Sequence, residues 1–185
     1  MTYWRESTTG VNSLAFFLGK NLSTLQMVIL PPFVFLSIFY LLVSPRSNFW
    51  LMYSLMIGTQ YACTGAGHLI SLVFVPQNAL LAGVSYEVVA TMFAGGNPTL
   101  AKIYSYGVIG KILASISYSR WSTEGLYVTE LRQYATEYNV QPSLDYWGYD
   151  LNAFNLDIAM LFTIGTVLRI GSFIALIALH KNRQT

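Results

Sequence analysis

The sequence predicts an all-α integral membrane protein with four transmembrane helices and short re-entrant or interfacial helices in a large external loop. The chain is 54% hydrophobic and 10% charged, with a mean hydropathy of +0.49, whereas soluble domains carry about 25% charged residues. From Ser47 to Tyr86 it contains no Asp, Glu, Lys or Arg. Because a membrane helix needs roughly 20 apolar residues, this stretch is long enough for two spans.

Four apolar segments account for the predicted spans. The first contains Pro31 and Pro32, which we expect to kink the helix rather than end it, because neighbouring groups can satisfy the freed carbonyls. A turn at Val75-Pro76-Gln77-Asn78 separates the second span from the third. The predicted spans are residues 25–43, 49–74, 79–93 and 156–179.

The segment between the third and fourth spans is different in composition, because it mixes aromatic residues with Lys, Arg, Asp and Glu. Within it, Gly107–Tyr118 is apolar apart from Lys111, and Arg120–Tyr138 is amphipathic. Both are predicted to form short helices at the membrane interface. Abundant Tyr and Trp suit a position at the level of the lipid headgroups.

The positive charges of the short segments predict the orientation. Arg5, Lys20, Lys181 and Arg183 lie on the side of the termini, and in the short segments Arg46 alone lies on the other side. The large loop holds four more Lys or Arg, but its length of about 60 residues is at the limit where the rule applies. The positive-inside rule therefore predicts cytosolic termini. The resulting organisation is a cytosolic connecting segment (1–24), three spans (25–95), an extracytosolic loop (96–155), the last span (156–179) and a cytosolic tail (180–185).

Several function classes are not indicated by the sequence. A net charge of +2 without a basic run gives no reason to expect a nucleic-acid partner. Gly110-Lys111 is followed by Ile112, so it lacks the Ser or Thr of a phosphate-binding loop. No clustered metal ligands are evident, and we expect no cofactor bound by this chain itself.

Three ionisable residues of the apolar segments are candidate pathway or coupling residues: His68, Glu87 and Arg169. Charges in lipid are costly and usually face a bundle interior or a polar path. Arg169 follows Asp157 by 12 residues, or roughly 18 Å along a helix, so it needs a partner on another element. Each residue also has a structural interpretation: an interhelical contact or a snorkelling side chain for Arg169, and a packed polar side chain for His68.

Small residues form a patch in the second span that includes Ala62, Gly65 and Ala66. Such residues let helix backbones approach closely. The patch is predicted to pack helices together, either within one bundle or at a subunit interface.

Short motifs in a characteristic order suggest a family. The chain resembles the C-terminal part of the membrane domain of ABC transporters of the G (White-type) subfamily, and the resemblance covers nearly the whole chain. The matching pieces are Ser13–Lys20, Phe39-Tyr40, Pro45-Arg46-Ser47, Cys63-Thr64-Gly65, Pro76, Ser119–Gly125 and Leu168-Arg169-Ile170.

This resemblance implies that the spans are the last four of six and that residues 99–155 form the large external loop. It implies an ATP-driven exporter of lipids, sterols or other hydrophobic compounds, built as a homo- or heterodimer of half-transporters and located in the plasma membrane. Arg120 and Glu124 carry over as structural residues of the loop, and Arg169 as the arginine of the last span.

The chain also departs from the family pattern. Glu87 stands where many relatives have a proline or an apolar residue, and the nucleotide-binding domain and the first two spans are missing. The chain has no ATPase motif, so ATP and Mg²⁺ would be bound by a nucleotide-binding domain supplied in cis or in trans, and the chain is expected to be a fragment or a subunit. The alternative is a membrane carrier, channel or assembly subunit of another class that uses Glu87.

Overall fold

A computed structural model describes the backbone of residues 12–181 and the side chains of residues 12–178. Within this part of the chain there are eight helices and no strand, so the all-α class is confirmed. The helices are α1 (Ser13–Val43), α2 (Phe49–Val73), α3 (Pro76–Met92), α4 (Leu100–Ser105), α5 (Val108–Ile116), α6 (Tyr118–Tyr134), α7 (Gln141–Trp147) and α8 (Phe154–Lys181).

Two of these helices are long and apolar enough to cross a bilayer. They are α1 and the part of α8 that extends to Ala178. The 17 residues of α3 fall short of the roughly 20 that a span needs, and α2 is diluted by Ser, Thr, Gln and Gly. The membrane crossing of α2 and α3 therefore stays a prediction.

Helix α1 begins earlier than the predicted first span. Asn12 caps it by accepting a hydrogen bond from the Leu14 N–H at 2.9 Å, and the helix continues through Pro31 and Pro32 to Val43. The end of the predicted connecting segment and the first span are thus one continuous helix. The two prolines do not end it, as expected.

Local residues set the two turns between the first three helices. Ser44 adopts a left-handed conformation (φ 49°) that stops α1, and the Asn48 side chain caps α2 by accepting from the Trp50 N–H. Pro76 is the first residue of α3, where its missing N–H is not needed. The break predicted at residues 75–78 is therefore shorter and earlier than expected, because residues 76–78 already belong to α3 and only Phe74 and Val75 separate the two helices.

Helices α2 and α8 run side by side in the same direction. Gly58 faces Leu161, and Gly65 faces Leu168, seven residues further along both helices. A Cβ at Gly165 would overlap Cδ1 of the Tyr61 ring. The two backbones can approach this closely only because glycine stands at these positions.

The predicted loop folds into four helices, α4 to α7. One apolar cluster is shared by the bundle and α6, and a second lies beneath the loop helices. The buried members of the first are Leu55, Ala62, Ala90, Tyr118, Trp121 and Leu161. Those of the second are Leu100, Ile103, Ala114, Val128, Leu144 and Tyr149. Helix α5 leaves large apolar side chains exposed, with Val108 and Ile109 each at 72%, and its position at the membrane interface stays a prediction.

Substituting Gly165 with Ala should destabilise the α2–α8 contact by about 1–3 kcal/mol, because the added methyl group overpacks the Tyr61 ring. The measurement is the thermal unfolding midpoint of the purified protein in detergent. Gly171→Ala is the matched control on the same helix, since its Cβ meets only Leu69 Cδ1 at 3.9 Å. Equal midpoints for the two variants would contradict the close packing described here.

Candidate functional site

Arg169 lies at the junction of α1, α2 and α8 and donates hydrogen bonds to all three. Nη1 donates to the Tyr61 carbonyl at 2.6 Å, Nη2 to Thr64 Oγ1 at 2.8 Å and Nε to Asn21 Oδ1 at 3.0 Å. Nη1 also reaches the Gly165 carbonyl at 3.3 Å. We call Arg169 with Asn21, Tyr61 and Thr64 the arginine site.

Neutral acceptors hold the positive charge of this site. The guanidinium carbon lies 3.6 Å from the centre of the Tyr61 ring, which is a cation–π contact. Among residues 12–178, no carboxylate forms an ion pair with Arg169. The arginine thus finds partners on other elements, as its distance from Asp157 predicts, but these partners do not neutralise it.

The sequence places these groups by helical spacing. Tyr61 and Thr64 are three residues apart and share one face of α2. A Cβ at Gly65 would lie 3.0 Å from Nη1 of Arg169, so glycine leaves room for the guanidinium. Ala62, Gly65 and Ala66 are all buried, and Gly65 faces α8 of the same chain. The small-residue patch therefore packs α2 against α8 of the same chain.

His68 lies one turn beyond Thr64 on α2. Its Nδ1 is buried and has no hydrogen-bond partner among the described residues. The positive charges of Lys20 and Arg169 both lie close enough to act electrostatically on this imidazole. His68 is therefore beside the arginine site but not hydrogen-bonded to it.

Glu87 lies in a different place, between α3, α2 and α6. It accepts a hydrogen bond from the Tyr118 hydroxyl and one from Cys63 Sγ at 3.4 Å. It also lines an apolar groove of about 730 Å³ between α2 and α3. The structure thus does not bring together the three ionisable candidates: Glu87 has its own partners, and neither of them belongs to the arginine site.

Arg120 and Glu124 form a buried ion pair within α6. Nη2 and Oε2 are 2.7 Å apart, and the two residues are 7% and 1% exposed. Arg120 also stacks 3.5 Å from the Trp121 ring centre, and Glu124 accepts from the Asp150 N–H at 3.0 Å. Burial raises the pKa of Glu124, although Arg120 and the Asp150 N–H oppose the shift.

Asp157 lies at the start of α8, and its sequence position does not by itself indicate a functional role. It is fully buried, and neither of its carboxylate oxygens has a hydrogen-bond partner in the described part of the chain. A Cβ added to Gly125 would lie 3.3 Å from the Cβ of Asp157. Asp157 therefore packs against α6 near Glu124. The sequence feature that could have identified Asp157 is an acidic residue in the first turn of an otherwise apolar helix.

Glu130 ties the α1–α2 turn to α6. Its carboxylate accepts from the backbone N–H groups of Arg46 and Ser47, each at 3.0 Å. The Arg46 guanidinium lies 3.1 Å from Glu137 and 4.8 Å from the Tyr134 ring centre. Partial burial raises the pKa of Glu130, but these hydrogen bonds outweigh it and hold the pKa below its usual value of 4.5. The sequence did not predict the contact of Glu130 with the α1–α2 turn, because it is made to backbone N–H groups that every residue type carries.

The fold and its exposed apolar helices define an integral membrane protein. Residues 1–182 match the model of the family described as ABC-2 type transporter. The chain belongs to this family. No solved structure matches it, and within residues 12–178 no three His, Cys, Asp or Glu side chains are grouped to hold a metal ion.

Several curated relatives are similar over nearly the whole chain. The chain is 31% identical over 184 residues to "ABC transporter G family member 28" of Arabidopsis thaliana. The aligned region covers 97% of the chain and 16% of the relative. It is 29% identical over 183 residues to "Putative white-brown complex homolog protein 30" of the same plant, and this aligned region covers 98% of the chain and 16% of the relative.

A more distant relative is the "ABC-type transporter claG" of Penicillium crustosum, with 28% identity over 145 residues, 78% of the chain and 19% of the relative. These names confirm the resemblance to the G subfamily. The chain spans about a sixth of the length of the first two relatives.

Replacing Arg169 with Gln should lower the stability of the bundle by roughly 2 kcal/mol or more, because the hydrogen bonds of a charged donor to three helices are lost. Thermal unfolding in detergent measures the effect. Arg132→Gln is the matched control, because exposed Arg132 donates one hydrogen bond to the amide oxygen of Asn152 at 3.2 Å. A loss of stability in the control as large as in the Arg169 variant would contradict a special role of the arginine site.

The stabilising contact of Glu130 should depend on pH. Because its pKa is lowered in the folded state, its contribution is present above the usual value and is lost as the pH falls through the folded value. Wild type should therefore exceed Glu130→Gln in thermal midpoint at neutral pH, and the difference should shrink below about pH 4.5. Glu137→Gln, at the exposed Arg46 pair, is the control and should change the midpoint little. A gap that is constant from neutral to acidic pH would contradict the assignment.

Proposed function

We propose that this chain is the membrane-spanning part of an ATP-driven exporter that moves lipids, sterols or other hydrophobic small molecules. The observation that carries the proposal is the family match over residues 1–182, together with relatives that are named as ABC transporters. The match also argues against the alternative of a carrier or channel from another class. A role of Glu87 in the pathway stays a prediction.

The proposed energy source lies outside the described helices. The sequence has no phosphate-binding loop, and the chain covers only about a sixth of its relatives. ATP and Mg²⁺ would therefore be bound by a nucleotide-binding domain in cis or in trans. Helix α1 supports this arrangement, because it continues without a break from the membrane segment back to Ser13. Such a continuous helix can transmit a movement of an attached domain into the bundle.

The register of α2 and α8 supports the proposed topology of four spans. The two helices run parallel from Gly58 beside Leu161 to Leu69 beside Gly171. If α8 crosses the bilayer, α2 therefore crosses it in the same direction. Short turns join α2 to α1 and α3, so these two cross in the opposite direction. The termini then share one side, which the positive-inside rule makes cytosolic.

Exposed apolar surface supports the proposed substrate class and the proposed dimer. Leu41 and Leu42 on α1 are 82% and 80% exposed, and Leu80 and Leu81 on α3 are 79% and 70% exposed. The groove between α2 and α3 is also mainly apolar, with Glu87 as its charged residue. Surfaces of this kind contact lipid tails, hydrophobic substrates or a second membrane domain. The pathway would lie between paired membrane domains, in the plasma membrane.

The test is transport by the full-length gene product that contains this chain, reconstituted in proteoliposomes. Fluorescent phospholipid and sterol analogues report movement across the bilayer. We expect movement to require both ATP and Mg²⁺ and to stop when a non-hydrolysable ATP analogue replaces ATP. Movement that follows a pH gradient without ATP, and that Glu87→Gln abolishes, would replace the proposal with proton-coupled transport.

A further inference from the structure

The groove between α2 and α3 is lined by one charged side chain, Glu87. Its volume is about 730 Å³, which is within the range of small-molecule sites, roughly 300–1,000 Å³. The walls are mainly aliphatic, as at Ile70 on α2 and Leu80 on α3. The other polar residues of the lining are neutral: Ser71, Thr91 and Asn97. The groove therefore combines an apolar surface with a single carboxylate.

Two neutral donors hold this carboxylate in place. The Tyr118 hydroxyl of α6 donates to Oε2 of Glu87, and Cys63 Sγ of α2 donates to Oε1 at 3.4 Å. Because each of the two oxygens accepts a hydrogen bond, the side chain is arranged as an ionised carboxylate. An ionised carboxylate offers about four acceptor positions. About two of them remain for a further donor.

The negative charge of Glu87 is not neutralised by the chain itself. Among residues 12–178, no Lys, Arg or His forms an ion pair with it. A charge among apolar helices is costly unless it is paired or faces a polar path. A positively charged donor in the groove would remove part of this cost.

Glu87 lies too deep to meet a lipid headgroup. It follows Pro76, the first residue of α3, by 11 residues, or roughly 16 Å along a helix. In the proposed topology this depth is near the middle of a hydrocarbon core of about 30 Å. A lipid in the groove would therefore place an uncharged acyl chain against the carboxylate.

A second copy of the chain does not offer a free Lys or Arg at this depth. Up to residue 178, the Lys and Arg side chains of α1, α2, α3 and α8 are Lys20 and Arg169. Lys20 precedes the predicted first span, and Arg169 is held by hydrogen bonds to three helices. Apolar faces of a second copy would cover the walls of the groove but would leave Glu87 unpaired.

We propose that this groove binds hydrophobic organic amines in their protonated form and that Glu87 selects them. The ammonium group donates to the free acceptor positions of the carboxylate, and the apolar body of the ligand lies against Ile70, Leu80 and Val84. A neutral sterol would fill the walls without pairing the charge. This substrate class deepens the transport function proposed above and rests on it.

The experiment compares two probes that differ in charge. Dansylcadaverine is a fluorescent primary amine, and its N-acetyl derivative has the same fluorophore and chain without the positive charge. Fluorescence polarisation measures their binding, without nucleotide, to the full-length gene product that contains this chain in phosphatidylcholine nanodiscs. Empty nanodiscs give the background from the bilayer. We expect wild type to bind the amine about tenfold more tightly, because a charged hydrogen bond is made to the amine alone.

Three variants locate the site. Glu87→Gln should weaken amine binding about tenfold and leave binding of the acetyl derivative unchanged. Asp145→Asn removes an exposed carboxylate of α7 and is the matched control, which should behave as wild type. Gly83→Phe should weaken both probes, because Gly83 lines the groove. A Cβ at Gly83 meets no atom within 4 Å, so the thermal midpoint of this variant should stay close to that of wild type.

Three results would overturn the proposal. They are equal affinities of wild type for the two probes, a preference for the amine that survives Glu87→Gln, and no binding of either probe to wild type. The last result would mean that lipid or a second copy of the chain covers the groove.

Transport of the same probes in proteoliposomes separates this proposal from the transport function. ATP-driven movement of both probes without a preference for the amine would leave the transport function in place and overturn the substrate class. Selective binding of the amine without any ATP-driven movement would contradict the transport function and leave the amine site in place.

Discussion

The contact between α2 and α8 is the constraint on which the rest of the bundle depends. A guanidinium among apolar helices must be hydrogen-bonded, and Arg169 meets this need with a backbone carbonyl and a hydroxyl of α2 and an amide of α1. The two acceptors on α2 are within reach because glycines let α2 and α8 approach closely. The close packing of small residues therefore also provides the hydrogen bonds that α2 makes to the partly buried charge of Arg169.

A second set of polar contacts joins the loop helices to the bundle. The Arg120–Glu124 pair stiffens α6, and Glu130 fixes the α1–α2 turn through two backbone N–H groups. Asp157 lies against the same helix at the start of α8. Helix α6 is thus attached both to the α1–α2 turn and to α8, so a displacement of α1 or α8 would move α6 as well.

Much of the fold and part of the site could be predicted. Charge-free segments and the turn at Pro76 fixed the order of the long helices, because lipid imposes strict demands on composition and backbone hydrogen bonds. The need of Arg169 for a partner on another helix followed from its distance to Asp157. Asn21 and Thr64 could not be recognised, because they are ordinary polar residues whose role depends on which helix they face.

The sequence by itself determined the all-helical membrane class and the transporter family, since both depend on composition and on the order of short motifs. Tertiary structure alone decided that Glu87 is hydrogen-bonded to Tyr118, away from Arg169, and that the small-residue patch packs against α8 of the same chain. Helical spacing shows which residues share a face, but it does not show which other helix that face meets. That choice depends on packing between segments that are distant in the chain.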